Sequence, residues 1–230
     1  MSNGTILLAI KFRMGESLRF LSHAETVKVF QRACVRAGIE IQHSQGFNPR
    51  PKLSLPLPRS VGVESDDDLL CLRVNRDPNE TAVADYESRI KAGLSSQLPV
   101  GCELLSVSVV ESNTSFQPSG ATYVLAVRPE YLNDNLKATV KRLLASESLN
   151  LQRPICIKDS RPRTQDPGLK SVDVRGFLKS IELNGRSITV ECNISSSGSI
   201  RVDEILKLLE LDVEKLAAPI KRTNVQWSEV

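Results

Sequence analysis

The sequence predicts an α+β chain of two ferredoxin-like (βαββαβ) domains with mainly antiparallel sheets. Three observations carry this. Stretches of period-two and period-3.6 hydrophobicity alternate in the order β-α-β-β-α-β over residues 5–111, and a similar order returns over residues 121–227. Between them residues 112–120, SNTSFQPSG, concentrate turn formers and read as a linker. With 230 residues, 40% hydrophobic and 25% charged, the chain can supply a core to each of two units, expected at 1–112 and 121–230.

The elements follow in order. Residues 5–13 read as a strand, with an apolar run that opens into alternation at Ile10, Lys11, Phe12 and Arg13. Ser22 and Glu25 stand three apart, the spacing of a capping box, so a helix is expected from His23. Its stripe Val27, Phe30, Cys34 and Ala37 faces a sheet, Lys28, Arg32 and Arg36 form a basic stripe, and Gly38 stops it. Residues 39–43 are a short strand, and residues 51–57 are extended, continuing that strand past a bulging loop. A strand at 69–74, a helix at 80–98 and a strand at 102–111 complete the first set. In the second half a strand is expected at 121–127, a helix at 129–145, a strand at 152–158 and a basic loop at 159–168. Strands at 176–183 and 186–194 flank Asn184-Gly185, a strong hairpin signal, before a short helix at 202–211 and a last strand at 220–227. This similar order suggests a structural duplication, although no residue motif repeats between the halves.

Charge is segregated. Residues 1–60 hold nine Lys/Arg against three Glu, whereas residues 64–112 hold ten acids against four bases. Such a basic segment suits phosphates, or it balances the neighbouring acidic run within the fold. Cys34, Cys71, Cys102, Cys156 and Cys192 stand far apart, which suits buried free thiols in a reducing compartment and argues against zinc-ribbon or iron–sulfur ligation by closely spaced thiolates. No apolar run approaches the roughly 20 residues of a membrane span, so a cytoplasmic protein is expected. No GxSxG, HExxH or Walker-type loop occurs, and His23 and His43 are the only histidines.

One set of motifs is specific. Arg19-Phe20-Leu21-Ser22-His23, Phe30-Gln31-Arg32-Ala33, Arg36-Ala37-Gly38 and Ser44-Gln45-Gly46-Phe47-Asn48-Pro49-Arg50-Pro51 occur in one order over residues 11–64. In these the chain resembles the radical SAM-linked protein family, with Val172-Asp173-Val174-Arg175 and Lys221-Arg222-Thr223 similar to its weaker C-terminal marks. Two departures stand out: Glu25-Thr26 where the family more often has Asp soon after the His, and Leu57-Pro58-Arg59-Ser60 in place of a Leu-Pro-x-Gly ending. The resemblance implies a partner of a separately encoded radical SAM enzyme, in a family whose gene surroundings often suggest RNA, with no cofactor of its own. A fold-level likeness to RAMP ribonucleases adds a metal-independent nuclease using His23 as an alternative.

In a ferredoxin-like unit the first helix starts where the second strand ends, so Arg19, Ser22 and His23 are expected to meet the loop of Ser44, Gly46, Phe47, Asn48 and Arg50, with Arg32 and Arg36 as further ligand-binding residues. Phe47 would offer a stacking face, Gly46 a tight turn, and Arg19 and Arg50 charge for a phosphate or carboxylate. Each has a plainer role: Ser22 as helix cap, His23 as filler against Phe47, Gly46 and Pro49 as turn residues, Arg32 and Arg36 as a solvated face. Asp173 and Arg175 read as a pair at a strand start, and Trp227 as a core or edge aromatic. No metal site and no confident catalytic residue are expected. The functional expectation is a non-catalytic accessory module that binds RNA or a nucleotide-like substrate, with a protein-interaction adaptor that binds no nucleic acid as the alternative.

Overall fold

The computed structural model describes residues 4–76, 82–155 and 168–229. In chain order the elements are β1 (Gly4–Met14), α1 (His23–Arg36), β2 (Leu53–Ser54), β3 (Glu64–Arg76), α2 (Val83–Ser95), β4 (Cys102–Val110), β5 (Phe116–Ala126), α3 (Asp134–Ala145), β6 (Asn150–Pro154), β7 (Leu169–Asp173), β8 (Leu178–Asn184), β9 (Ser187–Asn193), α4 (Val202–Leu208) and β10 (Lys221–Glu229). The fold is α+β with mostly antiparallel strand pairing. Packing divides it into one unit of Met1–Val124 with Pro219–Val230 and a second of Leu125–Ala218. No helix among the described residues is long and apolar enough to cross a membrane.

In the first unit β4, β1, β3 and β2 lie side by side in that order, each pair antiparallel. Alternation along β1 decides its two faces. Leu8, Ile10, Phe12 and Met14 turn towards the helices and form a core with Phe30 and Cys34 of α1, Leu70 and Leu72 of β3, and Leu94 of α2. The rings of Phe12 and Phe30 meet edge to face, centroids 4.7 Å apart. Leu7 and Ala9 point the other way, where with Leu69 and Cys71 they pack against Phe116 and Trp227. Trp227 is therefore a packing residue on this second face.

The strand expected at 39–43 forms only bridges, Ile41 to Val74 and His43 to Pro51. Gln42 donates its amide to the Arg73 carbonyl, Arg73 donates to Lys52, and Lys52 donates to Gln42. Residues 42 and 52 thus stand at one level of β3, and everything between them is looped out of the sheet. β2 then continues the ladder with Leu53 opposite Leu72. The second strand does resume past a bulging loop, in two pieces.

Two expectations are corrected. β3 starts at Glu64 rather than residue 69, because its acid run is paired: Asp67 is 3.0 Å from Lys11 and accepts from the Val225 amide, while Asp68 turns to the opposite face and meets Arg222. Residues 112–120 are not all linker, since β5 begins at Phe116 in register with Glu229 of β10. The last strand, β10, pairs antiparallel with β5, the strand that opens the second set. It belongs to the first unit, pairing parallel with β3 at Lys221–Glu64 and Arg222–Ser65.

The second unit holds α3, α4, the β6–β7 ladder and the β8–β9 hairpin. The expected helix from residue 129 opens as a 3-10 turn at Pro129–Tyr131, and α3 itself is capped by the Asn133 side chain. The hairpin is at the expected place, shifted by one residue. Its two-residue turn is Gly185-Arg186 with φ +60° at Gly185, the pattern of a type II′ turn, which wants glycine first. The basic loop read at 159–168 and Cys156 lie outside the described residues, except for Gly168.

Candidate functional site

The looped-out segment is the most exposed of the sequence motifs. Its neck is tied twice: the Ser44 amide donates to the Arg50 carbonyl at 2.8 Å, and the Arg50 amide donates to Ser44 Oγ at 2.9 Å. Ser44 is thus the clasp of the loop. Gly46 has φ +130°, a backbone region that side chains disfavour. Pro49 and Pro51 fix their own φ angles and remove two amide donors. Phe47, Asn48 and Arg50 are exposed, and the Phe47 ring is as open to water as in an extended chain, 101%.

Arg19, Ser22 and His23 lie elsewhere. Ser22 caps α1 as expected: its Oγ accepts from the Glu25 amide while the Glu25 carboxylate accepts from the Ser22 amide at 2.8 Å. Hydrogen bonds from the Ser22 hydroxyl and amide hold the Glu25 carboxyl below its ordinary range. His23 is exposed and does not fill a space against Phe47, which has no neighbour covering it. The Arg19 guanidinium donates to the Glu16 carbonyl at 2.9 Å, stands 3.9 Å from Glu64, and lies 4.4 Å from the Phe20 ring centre.

The expected edge joining Arg19 and His23 to the loop is therefore not formed. Glu64, beside Arg19, begins β3, whereas the loop departs opposite Arg73, nine residues further on and about 30 Å along the strand. What arrives at Arg19 is the later 57–62 stretch: Arg59 donates to the Arg19 carbonyl at 2.8 Å, and the Gly62 amide donates to it at 2.8 Å. Arg32 and Arg36 occupy a third place, the open side of α1, where they line a groove of about 380 Å³ with Gln97 and Pro99.

Residues that the sequence reading did not select form the most buried polar cluster. Arg222 Nη2 donates to Asp68 Oδ1 at 2.5 Å and to the Leu57 carbonyl at 3.3 Å, while its Nη1 donates to the Pro58 carbonyl at 3.3 Å. Arg59 Nε stands 3.9 Å from the same carboxylate, and its Nη1 donates to the Val63 carbonyl. Burial lowers the pKa of the Arg59 guanidinium, and neighbouring Arg222 adds to that against the pull of Asp68. The two sequence marks at 57–60 and 221–223 meet here, so a signal existed, although nothing linked them. Above the cluster an open cleft of about 480 Å³ carries Arg13, Glu16, Glu64, Asp66, Glu103 and Lys221. Its charges largely satisfy one another: Arg13 grips Glu103 with two hydrogen bonds of 2.8 and 2.9 Å, and Lys221 lies 3.6 Å from Asp66.

The mark at 172–175 is also structural. Asp173 accepts from the amides of Leu149 and Arg175, while the Arg175 guanidinium donates to the carbonyls of Leu144, Ser146 and Leu178. Arg175 thereby closes the C-terminal end of α3 rather than pairing its side chain with Asp173. Burial raises the Cys34, Cys102 and Cys192 thiols to about 12 and Cys71 to about 11, so all four stay protonated at neutral pH. Among the described residues no three His, Cys, Asp or Glu side chains are grouped to hold a metal ion.

An α+β scaffold with a clasped, exposed loop on its first unit is thus the class that fold and geometry define. The chain belongs to the family described as uncharacterized protein conserved in bacteria (DUF2344), whose model matches residues 8–203. The match runs from β1 to the start of α4 and leaves β10 outside. Comparison with curated proteins found no match.

Proposed function

We propose that this protein is a non-catalytic, cytoplasmic accessory protein of a separately encoded radical SAM enzyme, and that it holds RNA or a nucleotide-like substrate through the 44–50 loop. The observation that carries the binding reading is Phe47, wholly exposed on a clasped loop that also carries Arg50. A flat ring beside a cation suits an unstacked base and its phosphate. The link to a radical SAM enzyme rests on the motif resemblance alone. The strand order β4-β1-β3-β2, with every neighbour antiparallel, supports reading the first unit as ferredoxin-like.

The test is a fluorescence-anisotropy titration of single-stranded RNA against the wild type, Phe47→Ala and Arg50→Ala at two salt concentrations. Losing one stacked base costs about 1–3 kcal/mol, so Phe47→Ala is expected to weaken binding roughly 5- to 150-fold. Arg50→Ala should flatten the salt dependence by about 0.7 in the log–log slope. Absence of wild-type binding at low salt rejects the RNA reading.

A protein-interaction adaptor is favoured by a different surface. Phe20 and Val61 are 58% and 61% exposed near Arg19, an apolar pair suited to a partner protein. A partner enzyme that co-purifies through nuclease treatment and high salt, and is released by Phe20→Ser, would support that reading.

A further inference from the structure

Leu7, Arg73 and Lys52 form one cross-strand row. Leu7 is opposite Arg73 in the β1–β3 ladder, and the Arg73 amide donates to the Lys52 carbonyl at 3.0 Å on the other side. Residues opposite one another in antiparallel strands project from the same face, so both cations rise from the side of the sheet away from α1 and α2. They line an open groove of about 360 Å³ together with Leu7, Leu53, Ser54 and Phe116. Among the described residues no aspartate or glutamate lines it.

Two like charges placed directly opposite on neighbouring strands repel, and a fold normally relieves this with a carboxylate. Here the Lys52 ammonium reaches only the Gln42 side-chain oxygen, at 3.3 Å, and Arg73 donates to the Ser112 carbonyl. Neither forms an ion pair with a carboxylate among the described residues. The charge left over is positive and faces a groove whose walls include the aliphatic Leu7, Pro56 and the ring of Phe116. The groove opens beside Pro51, where the 44–50 loop rejoins the sheet. By contrast the cleft near Arg13 carries four acids against two bases, which leaves no charge there for an anion.

We infer that this groove is a subsite for one nucleotide unit of the bound strand, its phosphate held between Lys52 and Arg73 and its ring against Leu7 and Phe116. The inference rests on the reading of the 44–50 loop as a nucleic-acid contact and extends it: Phe47 stacks one base, and the groove takes the neighbouring nucleotide. The volume is at the low end of the about 300–1,000 Å³ usual for small-molecule pockets, enough for one such unit. The groove binds and does no chemistry of its own, since the Cys71 thiol at its floor is buried and protonated.

The test uses amide chemical shifts of the full chain titrated with uridine 5′-monophosphate, uridine and inorganic phosphate, alongside anisotropy with a hexauridylate. The monophosphate is expected to shift the amides of Leu53, Ser54 and Phe116, uridine to bind at least tenfold more weakly, and Lys52→Gln to weaken the monophosphate at least fivefold. Arg73→Gln is a second variant, kept apart because Arg73 also ties down Ser112. Monophosphate shifts that avoid these amides, or an affinity unchanged in Lys52→Gln, overturn the inference. Equal affinity for inorganic phosphate overturns the nucleotide and leaves a plain anion site. If hexauridylate binding falls in Phe47→Ala yet is untouched in Lys52→Gln, the groove fails and the loop reading stands. If hexauridylate does not bind while the monophosphate shifts depend on Lys52, the groove stands and the RNA reading fails.

Discussion

Asp68→Asn tests the arrangement that joins the two ends of the first unit. The Asp68 carboxylate is buried and serves two guanidiniums, those of Arg222 and Arg59, which are 1% and 9% exposed. Asparagine keeps the size and a hydrogen-bonding oxygen but removes the negative charge that both guanidiniums share. Removing one partner of a buried pair costs about 3–5 kcal/mol, mostly because a charge stays in a low dielectric without compensation. Two cations lose their partner at once here, so the upper part of that range is expected. That is a large share of the about 5–15 kcal/mol by which domains are stable. The assay is urea unfolding followed by the fluorescence of Trp227, the single tryptophan of the chain, on β10 of the same unit. Lys137→Ala, which removes the exposed pair with Asp134, is the control and should move stability by no more than about 0.5 kcal/mol. Arg222→Met added to Asp68→Asn should recover part of the loss, because it withdraws a stranded charge. A loss below about 1 kcal/mol for Asp68→Asn would show that water screens the cluster and that the reasoning fails.

Ser22→Ala should lower stability by about 1 kcal/mol through loss of the α1 cap and leave RNA affinity unchanged, read by thermal melts and anisotropy; weakened binding in the folded variant would return Ser22 to the ligand site. Glu204 of α4 is buried, which raises its pKa, but hydrogen bonds from Arg153 and the Arg201 amide outweigh this and hold it below the ordinary value. Its contribution is therefore present above the unfolded value of about 4.3 and lost as pH falls through the lower folded value. Melting curves of Glu204→Gln from pH 7 to pH 3 should show a deficit that narrows below about pH 4.3, and a constant deficit would refute the assignment. Gly185→Ala places a side chain at φ +60° in the hairpin turn and should cost more than about 1 kcal/mol, checked by denaturant midpoint.

What was legible in the sequence was local. Ser22 and Glu25 announce the start of α1 because a capping box needs only three residues of spacing, and Gly185 marks the hairpin because the turn needs a positive φ. The error of the longer readings has one physical source: pairing partners distant along the chain. The alternation of Leu53 with its neighbours signals a strand but says nothing of where it rejoins β3, and the loop leaves the sheet at the end away from Arg19. The acid run at residues 64–68 has poor strand propensity alone, and it becomes strand because Lys11, Arg59 and Arg222 neutralise it. Arg222 lies 154 residues from Asp68, and no local pattern announces such a pair. Of the ten candidate ligand residues, the structure groups Ser44, Gly46, Phe47, Asn48 and Arg50 on one loop and scatters the others to two further places.

The cost of that loop is itself an argument about its use. Aromatic residues are only 4% of this chain, and Phe47 is one of six phenylalanines. Burying a phenylalanine stabilises a fold by about 1.5–3 kcal/mol, which this one forgoes completely. Yet the loop that carries it is held in shape, by the two Ser44–Arg50 hydrogen bonds at its neck and by Pro49 and Pro51. A segment whose only task was to connect two pieces of strand would gain nothing from this, since Gln42 and Lys52 already stand at the same level of β3 and need no long excursion to be joined. Restraining the loop lowers the entropy to be lost on binding, and leaving the ring bare keeps its apolar area in reserve for a partner. The combination of stiff neck and bare ring is what a binding loop requires. It also separates the loop from the exposed Phe20, whose face is already half taken by the guanidinium of Arg19.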